Sequence, residues 1–207
     1  MRSLFSDAQF DSSRVVQVFV KLQSMSVTGA FSFEPMLCQG AERLPEWSEW
    51  HYELKLDGFR AIGRKAGRGA QLWSRNQKSL SRRFPSLVKG LNGLPDDTII
   101  DGEVVALDQH GRPSFDLVQG LGTEEPLIVL YAFDVMMLRG RDVRAWPLEE
   151  RRGELRQAVN GLPDIIRYSE TFNVPLAELE HTVREHELEG IVAKRACTVR
   201  ASAAAIG

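Results

Sequence analysis

Glu53-Leu54-Lys55-Leu56-Asp57-Gly58-Phe59-Arg60 sets one lysine between two carboxylates, after the aromatic Tyr52 and just ahead of a glycine. A lysine amine is mostly protonated at neutral pH, so nucleophilic use requires a lowered pKa or a proton acceptor. Glu53 and Asp57 alone work against that, because nearby negative charge favours the ammonium. A divalent ion, another lysine or Arg60 must counter them once substrate is present. Further along come Asp101-Gly102-Glu103, Phe133-Asp134 and Glu189-Gly190-Ile191-Val192-Ala193-Lys194. Glu103 and Glu189 each stand beside a glycine on an apolar segment and could hold Mg²⁺ or Mn²⁺, which favour oxygen donors. Such an ion would neutralise a triphosphate and help pyrophosphate leave. Lys194 could add charge near a phosphate, Arg75 could contact ribose or phosphate, and Phe133 could give a purine an apolar plane. Together these residues form a kit for moving a nucleotidyl group. Each also has a plainer use: a solvated strand end for Lys55, turns or salt bridges for the glutamates, core for Phe133, surface for Arg75 and Lys194.

The elements that must hold this kit read as strands more than helices. Tyr52, Leu54 and Leu56 alternate with Glu53, Lys55 and Asp57, which puts Lys55 on one face with both acids at the end of a half-buried strand. Gly58 permits a turn and a close approach by ligand. Arg60 to Lys65 and Ala70 to Ser74 read as strands joined at Gly67-Arg68-Gly69. Phe84, Leu87, Val88 and Leu91 recur at helical spacing, with Pro85 in the first turn. Thr98 to Leu107 reads as a strand pair interrupted at Asp101-Gly102, and Leu127 to Met137 as a central strand. Helices are predicted around Leu148, Leu155 and Val159 after Pro147, and around Leu176, Leu179 and Val183 after Pro175. Ile191 and Val192 begin a last strand. Val15 to Val20 fits a short strand or a helical turn, in an otherwise irregular stretch over residues 1–30. The sum is an α+β domain of mainly antiparallel sheets with few helices.

Composition narrows the partners. The 207 residues allow one substantial core. A net charge of -2 and a pI near 6.1 do not mark a nucleic-acid binder. Charge is uneven, however: no Asp or Glu occurs between Gly58 and Pro95, where Arg60, Arg64, Lys65, Arg68, Arg75, Lys78, Arg82, Arg83 and Lys89 all fall. Such a local field can attract a polyanion; its plain alternative is a solvated basic face. Cys38 and Cys197 suit neither a disulfide framework nor metal-ligand spacing, as in a reducing cytosolic setting. No apolar run approaches membrane-spanning length, and no secretory leader pattern follows Met1. The four histidines have no companions at ligand spacing.

In their order, Lys55-Leu56-Asp57-Gly58-Phe59-Arg60, Ser74-Arg75-Asn76, Asp101-Gly102-Glu103-Val104-Val105-Ala106-Leu107, Phe133-Asp134 and Glu189-Gly190-Ile191-Val192-Ala193-Lys194-Arg195 resemble the covalent nucleotidyltransferases. These comprise DNA and RNA ligases and messenger-RNA capping enzymes. More narrowly, Phe33 to about Ala196 looks like the adenylation domain of bacterial ATP-dependent DNA ligases of the ligase D type. That resemblance implies an ATP-grasp-like fold of antiparallel sheets flanked by helices, with ATP and Mg²⁺ (or Mn²⁺) as cofactors. Lys55 would be the adenylated nucleophile. Glu53 would lie near the adenine edge, Phe133 would stack on adenine, and Arg60 and Arg75 would meet sugar, phosphate or a DNA 5′ end. Glu103 would act with ribose or metal, Glu189 with metal, and Lys194 with phosphate in catalysis. AMP would pass from ATP to Lys55, then to the 5′-phosphate of a nick, and the 3′-hydroxyl would displace it. The implied partners are nicked or broken double-stranded DNA, end-joining proteins and a separate oligonucleotide-binding domain. The implied setting is the bacterial cytoplasm at the nucleoid, with no membrane.

The resemblance stops near Arg195. Such ligases continue into a strand bearing Lys-x-Lys, whereas Ala196 to Gly207 contains no such pair. The expectation is therefore an irregular arm over residues 1–30, an adenylation domain over 31–196, and an atypical tail over 197–207 carrying little chemistry, without the oligonucleotide-binding domain. One lost transition-state donor can cost about 2.7–4 kcal/mol. The sequence thus predicts weak ATP binding, with self-adenylation and nick sealing by this chain alone severely impaired. Two alternatives stand beside it: RNA ligation or guanylyl transfer, separable by nucleotide competition, and a ligase-derived DNA-binding accessory module. Salt-dependent DNA binding without covalent AMP would mark the second.

Overall fold

A computed structural model describes residues 16–20, 36, 38–41, 43–46, 49–120 and 125–200. In chain order the elements are β1 (Val16–Val20), β2 (Cys38–Ala41), β3 (Trp50–Lys55), β4 (Phe59–Ala66), β5 (Gly69–Ser74), α1 (Pro85–Leu91), β6 (Thr98–Leu107), α2 (Phe115–Gln119), β7 (Leu127–Leu138), β8 (Arg141–Asp142), α3 (Leu148–Val159), β9 (Ile166–Tyr168), α4 (Leu176–Glu185) and β10 (Gly190–Arg195). Two sheets result, one in the order β2-β1-β10-β3 and one in the order β5-β4-β6-β7-β8, with β9 also on β7. Among the described residues β1–β10 and β7–β9 are parallel, and the other strand pairs are antiparallel. Val16–Val20, open between strand and helical turn in the sequence, is strand. The remainder of the 1–30 stretch lies outside the described residues.

Alternation along β3 and β10 sorts side chains to two faces. Tyr52, Ile191 and Ala193 pack with Leu179 and Val183 of α4 in one core. Glu53, Lys55, Val192 and Lys194 face a cleft instead. In the second sheet Ala61, Ile100, Val104, Leu130, Ala132 and Val135 meet Leu87 and Leu91 of α1 and Leu155 and Val159 of α3. Burying each large aliphatic side chain there contributes about 1.5–3 kcal/mol. Pro85, Pro147 and Pro175 stand at or just before the starts of α1, α3 and α4, where a missing N–H costs nothing.

Two local readings are corrected. Thr98 to Leu107 is one ten-residue strand, not a pair. Gly102 makes no turn; it lets β7 come close, since a Cβ there would lie 2.6 Å from the Tyr131 carbonyl oxygen. The register slips at this point: Asp101 stands opposite Asp134 and Gly102 opposite Ala132, so Phe133 has no partner. This β-bulge turns the consecutive residues Phe133 and Asp134 toward the cleft, where strict alternation would separate them. The second correction concerns Gly58. A Cβ at Gly58 would lie 2.2 Å from the Val104 carbonyl oxygen, so the close approach is by the protein's own backbone. Unread in the sequence was α2, whose Ser114 hydroxyl accepts the Leu117 N–H (3.5 Å) and whose end is the left-handed Gly120, φ 85°.

Candidate functional site

A cleft of about 750 Å³ lies between the two sheets. Glu53, Lys55, Arg60, Arg75, Glu103, Phe133, Glu189 and Lys194 all line it, so every sequence-derived candidate reaches one space. The pairing of Lys55 with Gly190 brings Glu189 beside the end of β3. Lys55 and Glu189 form an ion pair, with side chains 27% and 31% exposed. Glu103, opposite Arg60 on the neighbouring strand, feels the charges of both Arg60 and Lys55. Burial outweighs these cations and, with Asp101 and Asp57 adding repulsion, pushes the Glu103 carboxyl up to about 7. Asp57 is also raised, mainly by burial, against the pull of Lys55.

Deeper in, the charges are saturated. Glu53 is buried. Its Oε1 accepts from Arg152 Nη1 (2.7 Å) and pairs with Lys194 Nζ (2.7 Å), and its Oε2 accepts from the Ser169 hydroxyl (3.0 Å). Lys194 is therefore no surface lysine. Burial lowers its pKa, and Glu53 opposes that shift. Lys194 Nζ also lies 4.3 Å from the centroid of the Phe133 ring, and the Arg60 guanidinium carbon 4.4 Å from it. Phe133 is thus a cation-flanked ring at the cleft wall rather than core.

A second lattice holds Asp101 and Asp134. Arg60 binds Asp101 through Nε (2.6 Å) and Nη2 (2.8 Å). Arg151 binds Asp134 through Nε (2.8 Å) and Nη2 (3.1 Å). Arg200 bridges both acids, donating to Asp101 and, at 2.7 Å, from Nε to Asp134. Burial would raise both carboxyls; the guanidiniums override it and hold both below the usual carboxylate range. The segment beyond Ala196, expected to carry little chemistry, thus supplies a buried cation to the cleft wall. Among these residues Asp101 and Asp134 lay inside quoted motifs without being assigned roles, and Arg151, Arg152, Ser169 and Arg200 were given none. The one available signal was Arg151-Arg152, two consecutive arginines opening a predicted amphipathic helix.

The basic stretch from Arg60 to Lys89 is not one solvated face. Lys65 turns inward to Asp96, 2.5 Å away. Arg83 lies over the rings of Phe59 (4.6 Å) and Phe84 (5.4 Å) and donates to the Val118 carbonyl (2.7 Å). Arg68, Arg75, Lys78, Arg82, Lys89 and, despite these contacts, Arg83 are exposed. Among the described residues no three His, Cys, Asp or Glu side chains gather closely enough to hold a metal. Among them, too, no helix is long and apolar enough to cross a membrane.

Comparison with known proteins follows the same residues. A family model described as ATP dependent DNA ligase domain matches residues 35–200. The multifunctional non-homologous end joining protein LigD of Pseudomonas aeruginosa is 36% identical over 165 residues, covering 78% of this chain and 20% of that protein. DNA ligase C of Mycobacterium tuberculosis is 31% identical over 177 residues, covering 77% of this chain and 49% of that protein. The chain therefore spans between a fifth and a half of the length of these relatives. A mycobacterial DNA ligase D solved with ATP and MES superposes with a TM-score of 0.65 at 27% identity, over 75% of this chain and 51% of that one.

Proposed function

Because this chain belongs to the ATP-dependent DNA ligase domain family, as an adenylation domain of the ligase D kind, we propose that Lys55 takes AMP from ATP for the sealing of DNA nicks. One observation carries the reading: the Lys55 amine stands in the interstrand cleft, ion-paired with Glu189 and within the electrostatic reach of Glu103. The amine must leave Glu189 and lose its proton before it can act as a nucleophile. Its attack forms a phosphorus–nitrogen bond at the α-phosphate and breaks the bond to pyrophosphate. Lys194, Arg60 and Arg75 offer positive charge to the phosphates, worth most where water is excluded. Phe133 offers its ring to adenine, in space its flanking cations must share. Glu53, with both oxygens engaged, serves the nucleotide by fixing Lys194 and Arg152 beside it.

Mg²⁺ or Mn²⁺ fits this donor set as an ion carried in with the nucleotide. Magnesium is commonly held by one or two carboxylates plus substrate phosphates, and the cleft offers Glu189, paired with the amine, and Glu103, which feels its charge. When bound, it would neutralise triphosphate charge and ease pyrophosphate departure. The later steps pass AMP to the 5′-phosphate of a nick and let the 3′-hydroxyl displace it. The exposed Arg68, Arg75, Lys78 and Arg82 offer the strand a basic approach. We place the activity in the bacterial cytoplasm, on broken or nicked DNA, alongside end-joining proteins and an oligonucleotide-binding domain.

The test is incubation of the chain with ATP labelled at the α-phosphate and with Mg²⁺. Acid-labile AMP is expected on the wild-type chain, and Lys55→Ala abolishes it. Equal labelling of Lys55→Ala removes Lys55 from the role, and a wild-type chain that takes up no label ends the adenylation reading.

A further inference from the structure

Asp101 and Asp134 face each other in register on β6 and β7, both buried. Like charges opposite one another on adjacent strands repel, and burial strengthens that repulsion. The group between them is the Arg200 guanidinium, itself 4% exposed, with Nε on Asp134 at 2.7 Å and Nη2 on Asp101. Arg200 arrives on a segment without regular secondary structure. That segment is pinned at two points: Arg200 N–H donates to the Arg144 carbonyl (2.8 Å), and Arg151 Nη1 donates to the Thr198 carbonyl (3.1 Å). The far side of Asp101 holds Arg60 in a two-point fork, and Arg60 in turn lies over Phe133. A chain of contacts therefore runs from the 198–200 segment to the ring that the nucleotide would meet.

We propose that Arg200 is a positioning residue for the nucleotide site: by bridging Asp101 and Asp134 it fixes the Asp101 carboxylate, and through it the place of Arg60 against Phe133. This rests on the adenylation reading of the cleft and names a residue that reading does not require. Without Arg200 the two carboxylates share only Arg60 and Arg151, so Arg60 is drawn inward and its fork no longer holds one orientation. Lysine at this position would keep a charge between the acids. It would lose the planar fork that reaches both at once.

The experiment measures ATP affinity by equilibrium titration and the Lys55 labelling rate at saturating ATP, in the full chain, for wild type, Arg200→Gln and Arg200→Lys. Arg200→Gln weakens ATP binding about tenfold, while the labelling rate at saturation falls much less. Arg200→Lys, which retains the buried charge and folds, gives an intermediate loss. In an Arg60→Met background the effect of Arg200→Gln shrinks toward nothing, since both act through one contact chain. A purely structural role predicts lower melting temperatures and equal effects in both backgrounds, and that result overturns the proposal. So does undiminished ATP affinity in folded variants, or failure of both variants to fold. If wild type itself binds no ATP, the adenylation reading falls and this inference with it; if wild type binds and the variants bind equally, only this inference falls.

Discussion

Asp101, Asp134, Arg60, Arg151 and Arg200 form a lattice in which Asp101 is fully buried and the Arg151 and Arg200 side chains are at most 3% exposed. A short distance outward, Lys55 and Glu189 keep about a third of their surfaces in solvent, and Glu103 is a half-buried acid whose carboxyl is raised by burial. Both regions are built from carboxylates and cations on the same strands, and they do different work. In the deep lattice every carboxylate oxygen accepts from at least one guanidinium, and each Oδ2 from two, which holds both acids charged. At the outer corner, one amine and two acids are still able to exchange protons or partners. Rigid charge makes a frame, while unsaturated charge is where transfer chemistry can occur.

The largest expected effect breaks the frame. Asp134→Ala leaves Arg151 and Arg200 buried without their shared acid, and removing one member of a buried ionic group costs about 3–5 kcal/mol. Lys55→Ala removes a partly exposed partner and leaves the denaturation midpoint close to wild type while abolishing covalent AMP. Urea melts of the two variants test the contrast directly. Equal destabilisation by both would mean that the deep lattice is no more structural than the outer corner.

The two regions also titrate with opposite sign. Glu103 has its carboxyl raised from 4.5 to about 7 by burial. The unfolded chain thus releases that proton first, and stability falls as pH rises from about 4.5 through 7. Glu103→Gln removes this slope: it melts higher than wild type at pH 8, by about 3 kcal/mol at most, and shows no gain near pH 4.5. Asp101 and Asp134 are lowered instead. Their contribution is present above the unfolded value of about 3.8 and is lost only as pH falls through their folded values. Thermal melts across pH should show a falling slope between 4.5 and 7 with Glu103 as its main source, and Asp57, also raised by burial, acts in the same direction. An unchanged slope in Glu103→Gln would assign it to another group.

The same division governs what could be read in the sequence. The alternation at Tyr52 to Asp57 and the glycine turn at Gly67-Arg68-Gly69 are local signals, and β3, β4 and β5 follow them. The outer corner was legible because its residues sit in short ordered motifs. The frame was not, because its pairs span 99 residues from Asp101 to Arg200 and 66 from Asp134 to Arg200. Nothing in Thr198-Val199-Arg200 marks that arginine as buried. The bulge at Phe133 escaped for a similar reason: register is a property of two strands, and one strand's alternation places Phe133 and Asp134 on opposite faces. Gly58 and Gly102 were visible as glycines, but the backbone carbonyls that demand them belong to partner strands.

The smallest expected effect separates depth from charge within one helix. Arg152 and Arg156 lie one turn apart on α3, both over the Tyr168 ring, at 4.7 and 5.0 Å. Arg152 is paired with buried Glu53, whereas Arg156 pairs with Glu170 at 62% and 57% exposure. Solvent and salt screen an exposed pair, and holding two long side chains together opposes the gain. Arg156→Ala should therefore leave the melting temperature within error at every salt concentration. Arg152→Ala, which strands Glu53 beside a single lysine, should lower the melting temperature by several degrees and weaken ATP binding through Lys194. If the two alanine variants behave alike, the aromatic stacking that they share sets the energetics of this helix, and the partition of the cleft into frame and chemistry does not extend to Glu53.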